Sequence, residues 1–202
     1  MTNIFQSLIK TISCGIILTI IIFIIMFKTN GGFTFDRDFY SAIFKYLHVI
    51  SGVMWVGLLY YFNFVQIPNM KKIPDEQKPS IMKVIAPAAL FWFRWAAIST
   101  IITGLIVSYL NYYILEALSF GLLTNGATPK SISIGMGMWI GIIMAYNVWL
   151  IIWPNQKKAL GIIDASNEAK IKSAKIAMLF SRINTMLSIP MLLTMVAAQN
   201  LY

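Results

Sequence analysis

Residues Ile132 to Trp153 read ISIGMGMWIGIIMAYNVWLIIW, a stretch without a single charged side chain. A helix needs about 20 apolar residues to cross a bilayer. Working outward, four more stretches have that character: Thr11–Phe27, Tyr46–Pro68, Pro87–Tyr113 interrupted by Arg94, and Ile176–Ala198 with Arg182 near its start. Hydrophobic residues make up 58% of the chain and charged residues 11%. Soluble domains carry about 25% charged residues, so the solvent for most of this chain is lipid. Backbone polar groups in lipid are satisfied only by helices or closed barrels, and barrel strands are shorter and alternate in polarity. The expected fold is all-α: a polytopic integral membrane bundle of five helices forming one domain over residues 1–202.

The first segment is an uncharged isoleucine-rich run without an Ala-x-Ala site after it. That pattern predicts a retained helix rather than a cleaved signal peptide. Lysines concentrate in two loops, Lys71, Lys72, Lys78 and Lys83 after the second segment and Lys157, Lys158, Lys170, Lys172 and Lys175 after the fourth. The positive-inside rule places both loops in the cytoplasm, with the N-terminus inside and the C-terminus outside. The net charge of +9 follows from these loops. Anionic lipid headgroups are partner enough for it, and nucleic acid is not required. Cys14 is the single cysteine, so an internal disulfide is excluded, as are a C-x-x-C-H covalent haem motif and a Cys/His metal cluster. Glycines at Gly31-Gly32 and Asn125-Gly126 mark turns, and no internal repeat or separate soluble domain is expected.

Function is then sought among polar residues inside the spans, which usually face a cavity or other helices. The second segment carries His48, Ser51, Gly52, Trp55, Phe62, Asn63 and Gln66 along one stripe. Arg94, Asn147, Asn184, Ser188 and Gln199 join them from later segments. His48, the only histidine, is either an interfacial residue or a proton acceptor. Arg94 stands between Trp92 and Trp95 and reads either as an interfacial arginine in an aromatic belt or as a buried cation needing a partner. Asn63, Asn147 and Asn184 suit interhelical hydrogen bonding or substrate recognition. Gly137, Gly141 and Ala145 form a small-residue face for packing within the bundle or in a homo-oligomer, and Pro190 is expected to kink the last helix. One histidine supplies half of the usual axial pair for haem b. A methionine, or a second copy of His48, would have to supply the rest, so the composition weighs against haem and the cofactor stays open.

His48-Val49-Ile50-Ser51-Gly52-Val53-Met54-Trp55-Val56-Gly57, Phe91-Trp92-Phe93-Arg94-Trp95, Met144 to Trp149 followed by Trp153-Pro154-Asn155-Gln156-Lys157-Lys158, and Asn184 to Pro190 together resemble the bacterial membrane-bound urate hydroxylase family, the urate oxidase N-terminal membrane domain. The resemblance runs from about Lys45 to the C-terminus. It implies a purine-catabolic oxidoreductase of the bacterial cytoplasmic (inner) membrane that oxidises urate to 5-hydroxyisourate and passes electrons to a c-type cytochrome. The chain ends at Tyr202 without a cytochrome domain, so a separate c-type cytochrome or respiratory complex is the expected partner. It also departs from the family at Ile183, where a histidine is expected beside Asn184. Urate is a planar anion. Arginine offers it paired donors, asparagine matches its alternating donors and acceptors, and tryptophan offers a stacking face. On that basis His48 and Arg94 are the expected catalytic residues, Trp55, Asn63, Asn147 and Asn184 the expected substrate-binding residues, and no metal ligand is expected. A non-catalytic subunit anchoring a respiratory cytochrome is the alternative. A small-solute channel or transporter is the third reading.

Overall fold

The structure is a computed structural model and describes residues 2–124 and 126–202. Asn125, expected with Gly126 at a turn, lies outside the described residues. Every regular element among the described residues is helical. Five helices are long and apolar enough to cross a membrane: α1 Leu8–Thr29, α2 Arg37–Lys72, α3 Lys78–Leu110, α4 Pro129–Ala159 and α5 Asn167–Asn200. A short helix, Ile114–Leu118, lies between α3 and α4.

Each helix starts before the apolar window that revealed it, and the third ends at Leu110, short of the expected Tyr113. The second begins at Arg37 rather than Tyr46, the third at Lys78 rather than Pro87, and the fifth at Asn167 rather than Ile176. The added turns are charged and stand at the ends of the spans. Apolarity reports where lipid is, whereas helix ends are set by capping. Thr128 accepts from the Ser131 N–H and the Ser131 hydroxyl returns the bond to the Thr128 N–H, so α4 begins at Pro129. Ser166 caps α5 through the Ala169 N–H. Gly161, at φ +72°, follows the end of α4 in the left-handed conformation that closes a helix.

The chain divides into two compact units, Met1–Tyr40 and Ser41–Tyr202. In the first, α1 buries none of its residues, and Phe23, Phe27, Phe33, Phe35 and Phe39 form a chain of tilted and edge-on ring contacts. In the second, four helices close a ring of contacts. Ser51 on α2 meets Ser99 on α3 at 2.8 Å. Trp149 on α4 donates to the Arg94 carbonyl on α3. Ser133 on α4 donates to the Thr194 carbonyl on α5. Tyr60 on α2 reaches Ser188 on α5 at 3.0 Å. Trp55, Leu59, Phe62, Phe93, Met144, Val148 and Ile152 fill the centre. The small-residue face of α4 packs inside this bundle: a Cβ on Gly137 would come within 2.9 Å of the Thr194 hydroxyl. Helix α5 passes through Pro190 as one element.

Three helices widen into π-helical turns, at Tyr61–Gln66, Ile81–Ile85 and Asn147–Ile152. Each lies close before a proline: Pro68, Pro87 and Pro154. A proline ring clashes with the carbonyl four residues back and offers that carbonyl no N–H. A wider turn relieves the clash. In α2 and α4 the asparagine after the proline recovers a backbone acceptor: Asn69 donates to the Val65 carbonyl and Asn155 to the Ile151 carbonyl, both at 2.8 Å.

This shared geometry exposes a repeat, contrary to the expectation that there is none. Met54-Trp55-Val56-Gly57-Leu58-Leu59-Tyr60-Tyr61-Phe62-Asn63 aligns with Met138-Trp139-Ile140-Gly141-Ile142-Ile143-Met144-Ala145-Tyr146-Asn147. Pro68-Asn69-Met70-Lys71-Lys72 aligns with Pro154-Asn155-Gln156-Lys157-Lys158. The asparagine-to-proline spacing differs by two residues between the copies, and the π-helical turn overlaps that interval in both.

Candidate functional site

The polar stripe of α2 faces the bundle at two levels. At the first, the His48 imidazole lies against α3. Its Nδ1 is 2.9 Å from the Thr100 carbonyl and 3.3 Å from the Thr103 hydroxyl. A carbonyl only accepts, so Nδ1 carries the proton and donates. The ring is then the tautomer with its lone pair on Nε2, and no protein group among the described residues pairs with that nitrogen. Gly104 makes the approach workable, since a Cβ there would lie 2.9 Å from His48 Cε1. Thr100 and Thr103 turn their hydroxyls back onto their own helix, at Ala96 and Ser99. His48 and Trp55 both line a cavity of about 460 Å³ bordered by α2, α3, α4 and α5 and open at the exposed Val49 and Val53. Apart from His48, Tyr60 and Thr100, the wall is hydrocarbon, glycine, methionine and the Trp55 indole. Trp55 is 1% exposed, and its Nε1–H finds no acceptor among the described residues.

At the second level, toward the Pro-Asn turns, Arg94 is buried at 8% exposure. Its guanidinium carbon lies 3.4 Å from the centre of the Trp153 ring, a cation–π contact across to α4. The neighbours Trp92 and Trp95 are half-exposed, so Arg94 belongs to the bundle and not to the belt those two residues form. One guanidinium nitrogen, Nη1, is buried without a hydrogen-bond acceptor. Phe62 meets Phe93 edge-on at 5.6 Å, which sets α2 and α3 at the same depth here. Asn63 donates to the Leu59 carbonyl and to the Ser181 hydroxyl on α5, while its Oδ1 is buried without a donor. Gln66 Oε1 and Gln156 Oε1 are likewise buried and unpaired.

Asn147 and Asn184 are spent on each other. Asn147 donates to Asn184 Oδ1 at 2.8 Å, and Asn184 donates to the Met144 carbonyl at 2.9 Å, both fully inside the bundle. Arg182 is exposed. The six expected site residues therefore form three groups: His48 with Trp55 on the cavity, Arg94 and Asn63 among unpaired polar atoms, and the closed Asn147–Asn184 pair. His48 and Arg94 do not meet. Thr100, which holds His48, is six residues beyond Arg94 on α3, about 9 Å along the axis. Sequence reasoning missed Gly104 and Trp153. An isolated glycine inside an apolar helix was a signal for the first. No sequence signal distinguishes Trp153 from the five other tryptophans as the partner of Arg94.

A second cavity of about 240 Å³ lies among Asn111, Tyr113, Glu116, Lys130, Ser131 and Gln199. Burial there pushes the Tyr113 phenol above its ordinary value.

Residues 115–201 match the family described as urate oxidase N-terminal. The resemblance seen in the sequence is thus borne out over that stretch, which contains α4, α5 and the Asn147–Asn184 pair. His48, Trp55, Asn63 and Arg94 lie before it. No curated protein and no solved structure matches the chain.

Proposed function

We propose that this chain is the membrane part of an oxidoreductase acting on urate or a related purine, with electrons passed to a separate c-type cytochrome. The family match makes a urate-related role the starting point. The observation that carries the site is Arg94, a buried guanidinium stacked on Trp153 with one nitrogen left unpaired. An unsatisfied buried donor on a cation is costly unless an acceptor arrives. A planar anion supplies one, and Asn63 Oδ1 offers an acceptor to a purine N–H. Gln66 and Gln156 are further acceptors at this end of the bundle. In the reaction, water adds its oxygen at C5 of urate to give 5-hydroxyisourate. Two electrons and two protons leave, and two ferric cytochromes take one electron each.

The lysines after α2 and α4 favour an orientation with this Arg94 level toward the cytoplasm, and the bacterial inner membrane is what the family resemblance implies. The test is urate consumption by membranes carrying the full chain, with ferric c-type cytochrome added and its reduction followed. Wild type is expected to consume urate and Arg94→Gln to lose most of that activity. Equal rates in both would move the substrate away from Arg94. Absence of turnover, with a cytochrome co-purifying, would favour the anchoring-subunit reading.

A further inference from the structure

The cavity between α2, α3, α4 and α5 lies outside the purine reading. Its wall is glycine, aliphatic side chains and thioethers, with His48 at one end, and it contains none of the unpaired groups of the Arg94 level. Along α2 it extends from His48 to Tyr60, about 18 Å at the rise of an α-helix. Its 460 Å³ lies within the range of about 300–1,000 Å³ that encloses drug-sized ligands. Four glycines, Gly52, Gly57, Gly104 and Gly141, thin the wall on three helices. A Cβ on Gly52 or Gly57 would meet no atom within 4 Å. The volume and the wall suit a largely apolar molecule.

The imidazole decides which one. With Nδ1–H fixed on the Thr100 carbonyl, Nε2 presents a lone pair. Metal-ligating histidines are held in this way, one nitrogen donating to an oxygen and the other free for the metal. A quinone carbonyl is an acceptor and gains nothing from a lone pair, and a quinol hydroxyl would use the lone pair but not the thioethers beside it, whereas iron uses both. The same wall carries the thioethers of Met138, Met191 and Met195, soft donors suited to haem iron. Trp55 adds a buried, unpaired N–H, a donor for an acidic edge of the ligand.

We infer that this cavity is a site for non-covalent haem b, with His48 Nε2 as an axial ligand and Gly104 as the residue that seats the imidazole. One histidine is then sufficient, because the second axial position can be filled by sulfur. His48 becomes an iron ligand and not the proton acceptor anticipated from the sequence.

The test uses the full chain expressed in membranes with haem supplied, purified in mild detergent, and read by absorption spectra of the oxidised and dithionite-reduced protein. Wild type is expected to show a Soret band and reduced b-type bands, with close to one haem per chain by pyridine haemochrome. His48→Ala is expected to lose the bands while keeping helical circular dichroism, and added imidazole is expected to restore them. Gly104→Ala is expected to shift or weaken them by displacing the ring. A wild-type protein that stays colourless after reconstitution with haem overturns the proposal. So does a His48→Ala spectrum identical to wild type. Stoichiometric extraction of a quinone or a lipid from the colourless protein would assign the cavity to that molecule and also overturn it. The spectra are recorded without urate, so failure here leaves the urate assay standing, and failure of that assay leaves the haem site standing.

Discussion

The repeated segments of α2 and α4 use the same residues to different ends. Trp55 in the first copy is buried with its N–H unpaired, while Trp139 in the second is 42% exposed and donates to the Leu118 carbonyl at 3.0 Å. Asn63 leaves Oδ1 without a donor, while Asn147 is joined to Asn184. Gly57 and Gly141 both border the cavity. His48 aligns with Ile132, so the imidazole has no counterpart. At the aligned tryptophan and asparagine, one copy holds unsatisfied groups and the other satisfied ones; Gln156 Oε1 is the unpaired atom of the second copy. Where a fold is doubled, unpaired buried polar atoms mark the copy that meets a ligand, because a structural copy gains by pairing them.

The largest expected effect comes from making the second copy resemble the first at a packed position. Gly137 aligns with the exposed Val53. Gly137→Val drives a branched side chain into Thr194 and Met195, where even a Cβ is already too close. A loss of about 3 kcal/mol is expected, the upper end of overpacking costs, read as a lowered unfolding midpoint in detergent. Val53→Gly should cost only about 0.5–1 kcal/mol, through helix propensity. Next comes Asn184→Leu, which strands the Asn147 amide in the bundle and should cost about 2 kcal/mol. The double replacement Asn147→Leu with Asn184→Leu should recover much of that. If it does not, the pair is more than interhelical glue. Trp139→Phe loses one hydrogen bond, about 1 kcal/mol. Smallest is Trp55→Phe, which removes a group that has no partner. The packing lost at this buried ring is offset by removal of the unpaired donor, so stability in the ligand-free protein should change by less than about 0.5 kcal/mol. An equal loss at Trp55 and Trp139 would erase the distinction between the copies.

The spans were legible because lipid demands long apolar runs, and Ile132–Trp153 alone was enough to announce that solvent. The bundle-facing stripe of α2 was legible for the same reason: polar residues avoid lipid. Helix ends were not, since the terminal turns of α2, α3 and α5 lie beyond the apolar runs. The repeat was present in the sequence but masked by its two-residue difference before Pro68 and Pro154. Pairings such as Arg94 on Trp153, or His48 on Thr100, join residues tens of positions apart and depend on how the helices meet. Residue types alone suggested one convergent site, whereas helix rise separates His48 from Arg94 by about two turns.

The Pro-Asn-x-Lys-Lys turns have a consequence for how such a chain enters a membrane. Copies placed two crossings apart run in the same direction, so duplication of a helix pair leaves the topology of everything downstream intact. Each copy also carries its own pair of lysines at the same end, Lys71-Lys72 and Lys157-Lys158. By the positive-inside rule the two lysine pairs would give the same orientation signal twice.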